Sequence, residues 1–173
     1  MQNERVKLRA VEPADIDFIY RLENDIDNIL TTEHYELVSR HAIEQYVLSL
    51  GQDLYASGQM RLVIEANDTP EKLPIGCLEL FDADATHHRA GIGIYIVAEK
   101  HKKGYASAAL GMMIDYCFKI LGLHQLFCNI AEDNLSSLKL FKKHNFQIVG
   151  LKKDWRHHGN SWKNEYLLQL INE

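Results

Sequence analysis

The run His101-Lys102-Lys103-Gly104-Tyr105-Ala106 has the residue types that a phosphate needs. It follows an apolar, β-branched stretch at 91–97 and precedes an apolar stretch of helical period at 106–121. A strand, a short basic turn and a helix bring the helix's first amides, which have no carbonyl partner, to the turn. The helix dipole adds partial positive charge at that end, so a pyrophosphate can take those donors. Gly104 removes a side chain where a phosphate must approach the backbone, and Lys102 and Lys103 add charge at the rim. Neither a Walker loop nor the dinucleotide pattern G-x-G-x-x-G is present.

The elements that must position this loop follow from periodicity. A short strand opens at 6–8. Pro13 suits the first turn of a helix in which Ile16, Ile19 and Leu22 recur at helical spacing. Residues 25–35 read as irregular or as a short helix, and 42–54 as a helix closed by Gly58. Strands at 61–65 and 75–81 form a hairpin about the turn cluster 67–70, and a polar connection over 82–88 leads to the strand 91–97. There Ile92, Ile94 and Ile96 share one face, and Gly91, Gly93 and Tyr95 the other. Two glycines in a strand suggest a bulge or the close approach of a ligand. Gly122 stops the next helix. A strand at 125–130, a helix capped by Asn134, and strands at 147–151 and 165–171 complete the chain. A polar excursion with a turn at Gly159-Asn160 separates the last two. This order gives a mixed α/β sheet in one domain spanning 1–173.

Bulk properties narrow the function. The chain has 173 residues, 46% hydrophobic and 25% charged, as in an ordinary globular protein with a sizeable core. A net charge of −5 argues against a nucleic-acid partner and permits a cationic one. No apolar run is long enough to span a bilayer and no leader is evident, so a cytoplasmic location without membrane attachment is expected. Cys77, Cys117 and Cys128, isolated in apolar contexts, read as reduced core residues. No metal site is expected, because C-x-x-C and H-E-x-x-H are missing and the pairs His87-His88 and His157-His158 lack helical spacing. The basic tract 152–158 reads as a solvated hairpin bordering an acceptor cleft or a subunit interface.

The loop resembles the pyrophosphate loop of the GNAT superfamily of acyl-CoA-dependent N-acetyltransferases, with His101 standing where the pattern has Gln or Arg. The run from Asn134 through Ser137, Leu140 and Phe141 to Asn145-Phe146 resembles that superfamily's second signature. Asn145 replaces its glycine, and asparagine tolerates a left-handed helix end. The opening Lys7-Leu8-Arg9 and the closing hairpin extend the likeness over nearly the whole chain, closest to the spermidine and ribosomal-protein N-terminal acetyltransferases. The resemblance implies a strongly twisted mixed sheet with helices on both faces, splayed between strands 91–97 and 125–130, with acetyl-CoA in the splay. Main-chain groups of Ile94, Ile96 and Val97 would pair with the pantetheine arm, and amides of Lys102, Lys103, Gly104, Tyr105 and Ala106 would hold the pyrophosphate. The Asn134 side chain would bond the pantetheine arm or simply cap its helix. Ser137 would lie near the thioester sulfur or on the helix surface. A homodimer or larger homo-oligomer is expected on the same ground.

Transfer of an acetyl group to an amine needs an amine without its extra proton, donors for the oxyanion and a thiolate that can leave. Many relatives place a carboxylate near the start of the strand 91–97 and a tyrosine in the second signature. Here those positions are Gly91 and Phe141. Glu79, Asp82 and Asp84 are the substitutes on the acceptor side. Asp82 is the first candidate for acceptor binding or water-mediated deprotonation, with Tyr95 as acid or channel wall. His87 and His88, read as strand neighbours on opposite faces, offer at most one base. Proximity alone also contributes several kcal/mol, so a dedicated acid or base is not obligatory. The expected function is acetyl-CoA-dependent acetylation of a small primary amine, a polyamine first. The alternatives are a protein N-terminus or lysine as acceptor, or acyl-CoA binding without turnover.

Overall fold

The computed structural model describes residues 1–31, 36–51, 53–69 and 72–173. One seven-stranded sheet runs through it in the order β1-β2-β3-β4-β5-β7-β6. The strands are β1 (Val6–Ala10), β2 (Met60–Ala66), β3 (Pro74–Asp84), β4 (Arg89–Ile96), β5 (Gln125–Ala131), β6 (Gln147–His158) and β7 (Ser161–Ile171). The helices are α1 (Ile16–Glu23), α2 (Ile26–Thr31), α3 (Arg40–Ser49), α4 (Leu54–Ser57), α5 (Tyr105–Lys119) and α6 (Leu135–Lys143). All strand pairs are antiparallel except β4 with β5.

Side-chain alternation divides the sheet into two faces. Leu8, Ile64, Leu78, Leu80, Ile92, Leu126 and Cys128 pack with Leu110, Met113 and Cys117 of α5 and Leu138 and Phe141 of α6 in the main core. Ile19 of α1 packs with Ile43 and Val47 of α3 in a second cluster. Arg61 of β2, opposite in alternation to Ile64, reaches Glu23 of α1 and stands over the Tyr46 ring of α3. Helices therefore cover both faces, as expected. The three cysteines are free thiols and buried. An ion pair sets α1 on its face: Arg9 donates from both terminal nitrogens to Asp15 at 2.6 and 2.7 Å. Burial alone would raise the Asp15 pKa, but the Arg9 bonds and the Glu12 amide outweigh it and hold the carboxyl below its usual range.

Several boundaries differ from the sequence reading. The helix expected over 42–54 is two: α3 ends when Leu50 turns extended, and Asp53 caps α4 by accepting from the Tyr55 and Ala56 amides. The short helix in 25–35 is α2; residues 32–35, and Pro70 of the turn cluster, lie outside the described residues. β3 continues to Asp84 through a bulge between Phe81 and Asp84, so 82–88 is not all connection. His87 and His88 are in the turn after β3 and are not strand neighbours. β6 and β7 run through most of the polar excursion to the turn at Gly159-Asn160. Between Lys152 and Asn164 most side chains are polar, with Trp155 and Trp162 the large apolar exceptions, which masks strand periodicity.

Candidate active site

β4 and β5 pair only at Arg89↔Gln125, Ala90↔Leu126 and Gly91↔Phe127. Beyond Gly91, β4 stays on β3 as far as Ile96, while β5 stays on β7 as far as Ala131. The sheet thus opens between them, as the resemblance implied. The Val97 amide donates to the Ile75 carbonyl at 2.9 Å. Antiparallel alternation then gives the main-chain groups of Gly91, Gly93 and Tyr95 to β3 and turns those of Ile92, Ile94 and Ile96 into the gap. His101 Nε2 lies 2.6 Å from the Ile96 carbonyl oxygen. Two groups expected to be open to a ligand, the Val97 amide and the Ile96 carbonyl, are therefore already engaged. The Ile94 groups and the Ile96 amide still face the gap.

The gap leads to the basic loop. Lys102 and Gly104 have φ of 60° and 84°. Gly104 occupies the N-cap of α5, and no side chain caps that end. The first amides of a fifteen-residue helix are thus left for an anion. Two contacts invisible in the sequence hold the loop. Arg5 donates from Nη1 to the Lys103 carbonyl at 2.7 Å, and the Tyr105 hydroxyl donates to Asp68 Oδ1 at 2.7 Å. With the Lys103 carbonyl drawn toward Arg5, it points away from any anion on the amides. Replacing Arg5 with alanine is expected to raise the acetyl-CoA KM about tenfold, roughly 1.4 kcal/mol, with the acceptor KM unchanged in steady-state kinetics. Ser107 in the first turn of α5 lies 2.9 Å from His144 Nε2 at the end of α6, tying the two helices together. Burial, then Lys143, lowers the His144 pKa.

On the other side of the gap, Asn134 Oδ1 accepts from the Ser137 amide at 3.1 Å and from the Ser136 hydroxyl at 3.0 Å. It is an N-cap whose Nδ2 end has no bond among the described residues. Asn145 has φ of 66°, the left-handed end expected from its place in the signature. Phe141 is buried edge-on against Phe146, with ring centres 5.0 Å apart.

The face opposite α5 carries the acceptor-side candidates. The Phe81 ring covers Gly91: a Cβ built there would lie 2.2 Å from Phe81 Cε2. A neighbouring side chain, and not a ligand, accounts for that glycine. Phe81 stands edge-on to Phe127 at 5.7 Å. Asp82 has φ of 48°, and the bulge aims it at a cavity of about 590 Å³ shared with Arg89, Gln125, Phe127, Leu167 and Gln169. Asp84 is occupied locally: Oδ1 accepts from the Thr86 and His87 amides and Oδ2 pairs with Arg89 at 3.2 Å. The His87 amide chiefly holds its carboxyl below the usual range. Glu79 pairs with Arg61, whose other carboxylate partner is Glu23 at 2.7 Å. Tyr95 is half-buried on the same face, opposite Cys77. Among the described residues no cluster of three potential metal ligands occurs, and no helix is long and apolar enough to cross a membrane.

Residues 5–147 match the family model of the acetyltransferase (GNAT) domain. The chain belongs to the GNAT acetyltransferases. It is 29% identical over 151 residues to a spermidine N(1)-acetyltransferase of Vibrio cholerae, covering 86% of this chain and 82% of that one. It is 30% identical over 159 residues to an uncharacterized N-acetyltransferase of Bacillus subtilis, YoaA, covering 90% and 86%. The crystal structure of a Vibrio cholerae spermidine N-acetyltransferase in complex with CoA and spermine superposes with a TM-score of 0.85 at 25% identity, covering 98% and 96%. This GNAT enzyme is accordingly an N-acetyltransferase that uses acetyl-CoA, and its open strand edge and uncapped α5 suit that donor's amide-bearing arm and pyrophosphate.

Proposed function

We propose that the enzyme acetylates a primary amine of a polyamine such as spermidine. The observation that carries this reading is the acidic approach to the opened sheet: Asp82 borders the start of β4, and Glu79 stands opposite Gly93 farther along it, on the face opposite the cofactor helix. Asp82 stands in a cavity walled by the Phe127 ring, and a carboxylate beside an aromatic face suits an alkylammonium ion. The likeness to spermidine N(1)-acetyltransferase supports the same class of acceptor.

In this reading the pyrophosphate takes the amides of Lys102 to Ala106, with Lys102 and Lys103 at its rim. The pantetheine arm lies along Ile94 and Ile96, Asn134 donates to it from Nδ2, and Ser137 stands near the sulfur. Val97 bounds the arm through its side chain alone. Tyr95 walls the acceptor channel. The exposed Val149 and Leu151 on β6, with Trp155 and Trp162 beyond, support association into a homodimer or larger homo-oligomer, which light scattering after gel filtration measures directly.

The deciding experiment is release of free CoA with spermidine, spermine, putrescine, simple monoamines and N-terminal peptides. Polyamines are expected to turn over fastest. Asp82→Ala is expected to raise the polyamine KM about tenfold, roughly 1.4 kcal/mol, without changing that for acetyl-CoA. Turnover confined to peptides would move the acceptor to a protein N-terminus.

A further inference from the structure

On the face that receives the acceptor, β4 offers no carboxylate and no other proton-accepting side chain before Tyr95: Arg89 is a cation, and Gly91 and Gly93 have no side chain. Register assigns the neighbours on β3: Phe81 opposite Gly91, Glu79 opposite Gly93, Cys77 opposite Tyr95. Residues directly opposite on antiparallel strands have Cβ positions about 5 Å apart. A Cβ at Gly93 would meet nothing nearer than Phe81 Cε1 at 3.9 Å, so the space before it is open to Glu79. Gly93 also belongs to the part of β4 that has left β5, beside the gap.

The charged surroundings of Glu79 are specific. Arg61 donates to it from Nε and pairs from Nη2, and both contacts fall on Oε1. Oε2 has no partner among the described residues, and the side chain is 37% exposed. Arg61 is also held by Glu23 of α1 and stands 5.1 Å from the Tyr46 ring centre of α3. Cys77 and Tyr46 are poor proton acceptors near neutral pH, since burial pushes each up to about 12. Asp84 is engaged through both oxygens, and Asp82 lies beyond the bulge toward the cavity.

We propose that Glu79 is the general base of this enzyme, replacing from the neighbouring strand the carboxylate that β4 lacks. Arg61 fixes Oε1, and Oε2 faces the acceptor. The ammonium N–H bond breaks and its proton passes to Oε2, directly or through one water. The freed nitrogen pair forms the bond to the thioester carbonyl carbon, and the C–S bond breaks with its electron pair on sulfur. The second nitrogen proton goes to the departing thiolate, and Glu79 returns its own to solvent. The proposal rests on a primary amine as acceptor and not on which amine it is.

The test is Glu79→Gln, which keeps the side chain's shape and an oxygen for Arg61. It uses full-length enzyme with the best amine of the wild type. Near pH 7, kcat/KM for the amine is expected to fall about 100-fold. The deficit should shrink as pH approaches the amine's own pKa, near 10, where solution supplies the free base. The acetyl-CoA KM and the thermal shift on adding acetyl-CoA should hold, showing a folded protein. Glu23→Gln, which removes the other carboxylate on Arg61, should change kcat/KM by less than about threefold. A deficit that is constant with pH, one under about threefold, or an equal loss in Glu23→Gln would each overturn the assignment, leaving Glu79 as an acceptor contact or a brace for Arg61. Failure of polyamines while another amine turns over would instead refute the choice of substrate, with the Glu79 ratio still measurable on that amine.

Discussion

Gly104→Val is expected to weaken acetyl-CoA binding at least about 100-fold, close to 2.7 kcal/mol, with the melting temperature changed by no more than about 3 °C. Gly104 sits at φ of 84°, where a β-branched residue is a genuine outlier. Holding valine there strains the backbone by about 1–3 kcal/mol. The cheapest relief is for the loop to leave its conformation, which disperses the amides at the start of α5. A Cβ at Gly104 would also lie 3.3 Å from Arg5 Nη1, the group that holds the Lys103 carbonyl. Both effects fall on the cofactor loop and neither on the core, so binding changes and stability hardly does. Gly104→Ala carries the same φ with less bulk and should lose about tenfold. Calorimetric titration with CoA measures both. A valine variant that binds within about threefold of wild type would show that the loop's backbone is not what holds the pyrophosphate.

What the sequence reveals of this site is whatever is local. Gly104, Asn134 and Asn145 each mark a helix end within a few residues of the feature they specify, and each stands where the spacing puts it. The splay is different. Nothing in the composition of β4 or β5 says they part after Gly91↔Phe127, and only the resemblance to a family implied it. Contacts between distant segments are not legible at all. Arg5 and Lys103 are 98 positions apart, and Arg61 joins two carboxylates carried by different elements. Ser107 and His144 look like a helix serine and a helix-end histidine until α5 and α6 are packed together. The long β6–β7 hairpin hides for another reason: its solvated strands need little apolar alternation, and cross-strand bonds such as that of Lys152 to the buried Glu165 join a residue that reads as loop to one that reads as the start of a strand.

The absent carboxylate of β4 illustrates the same limit, and it yields the second large effect. Gly91→Glu, which restores the residue type many relatives carry, is expected to destabilise the protein by about 4 kcal/mol and to lower activity instead of raising it. Gly91 is buried and is the last residue of β4 in register with both neighbours, Phe81 of β3 and Phe127 of β5. A Cβ there would lie 2.2 Å from Phe81 Cε2 and 2.4 Å from Cζ. The ring cannot swing aside freely, since its edge-on contact with Phe127 closes one direction. Overpacking of this kind costs about 1–3 kcal/mol, and a carboxylate set against two aromatic rings without a partner adds a further ~2 kcal/mol or more. Together these correspond to a fall in melting temperature of about 10–15 °C for a chain of this size. Adding Phe81→Ala should return part of that stability, because the same ring causes both terms, and a double-mutant cycle would read the coupling. With the Phe81 ring filling the space over Gly91, that position cannot carry the base, and the next carboxylate along β3 on that face is Glu79. A Gly91→Glu enzyme as stable as wild type and faster would show that the ring yields and that the base position on β4 had been free all along.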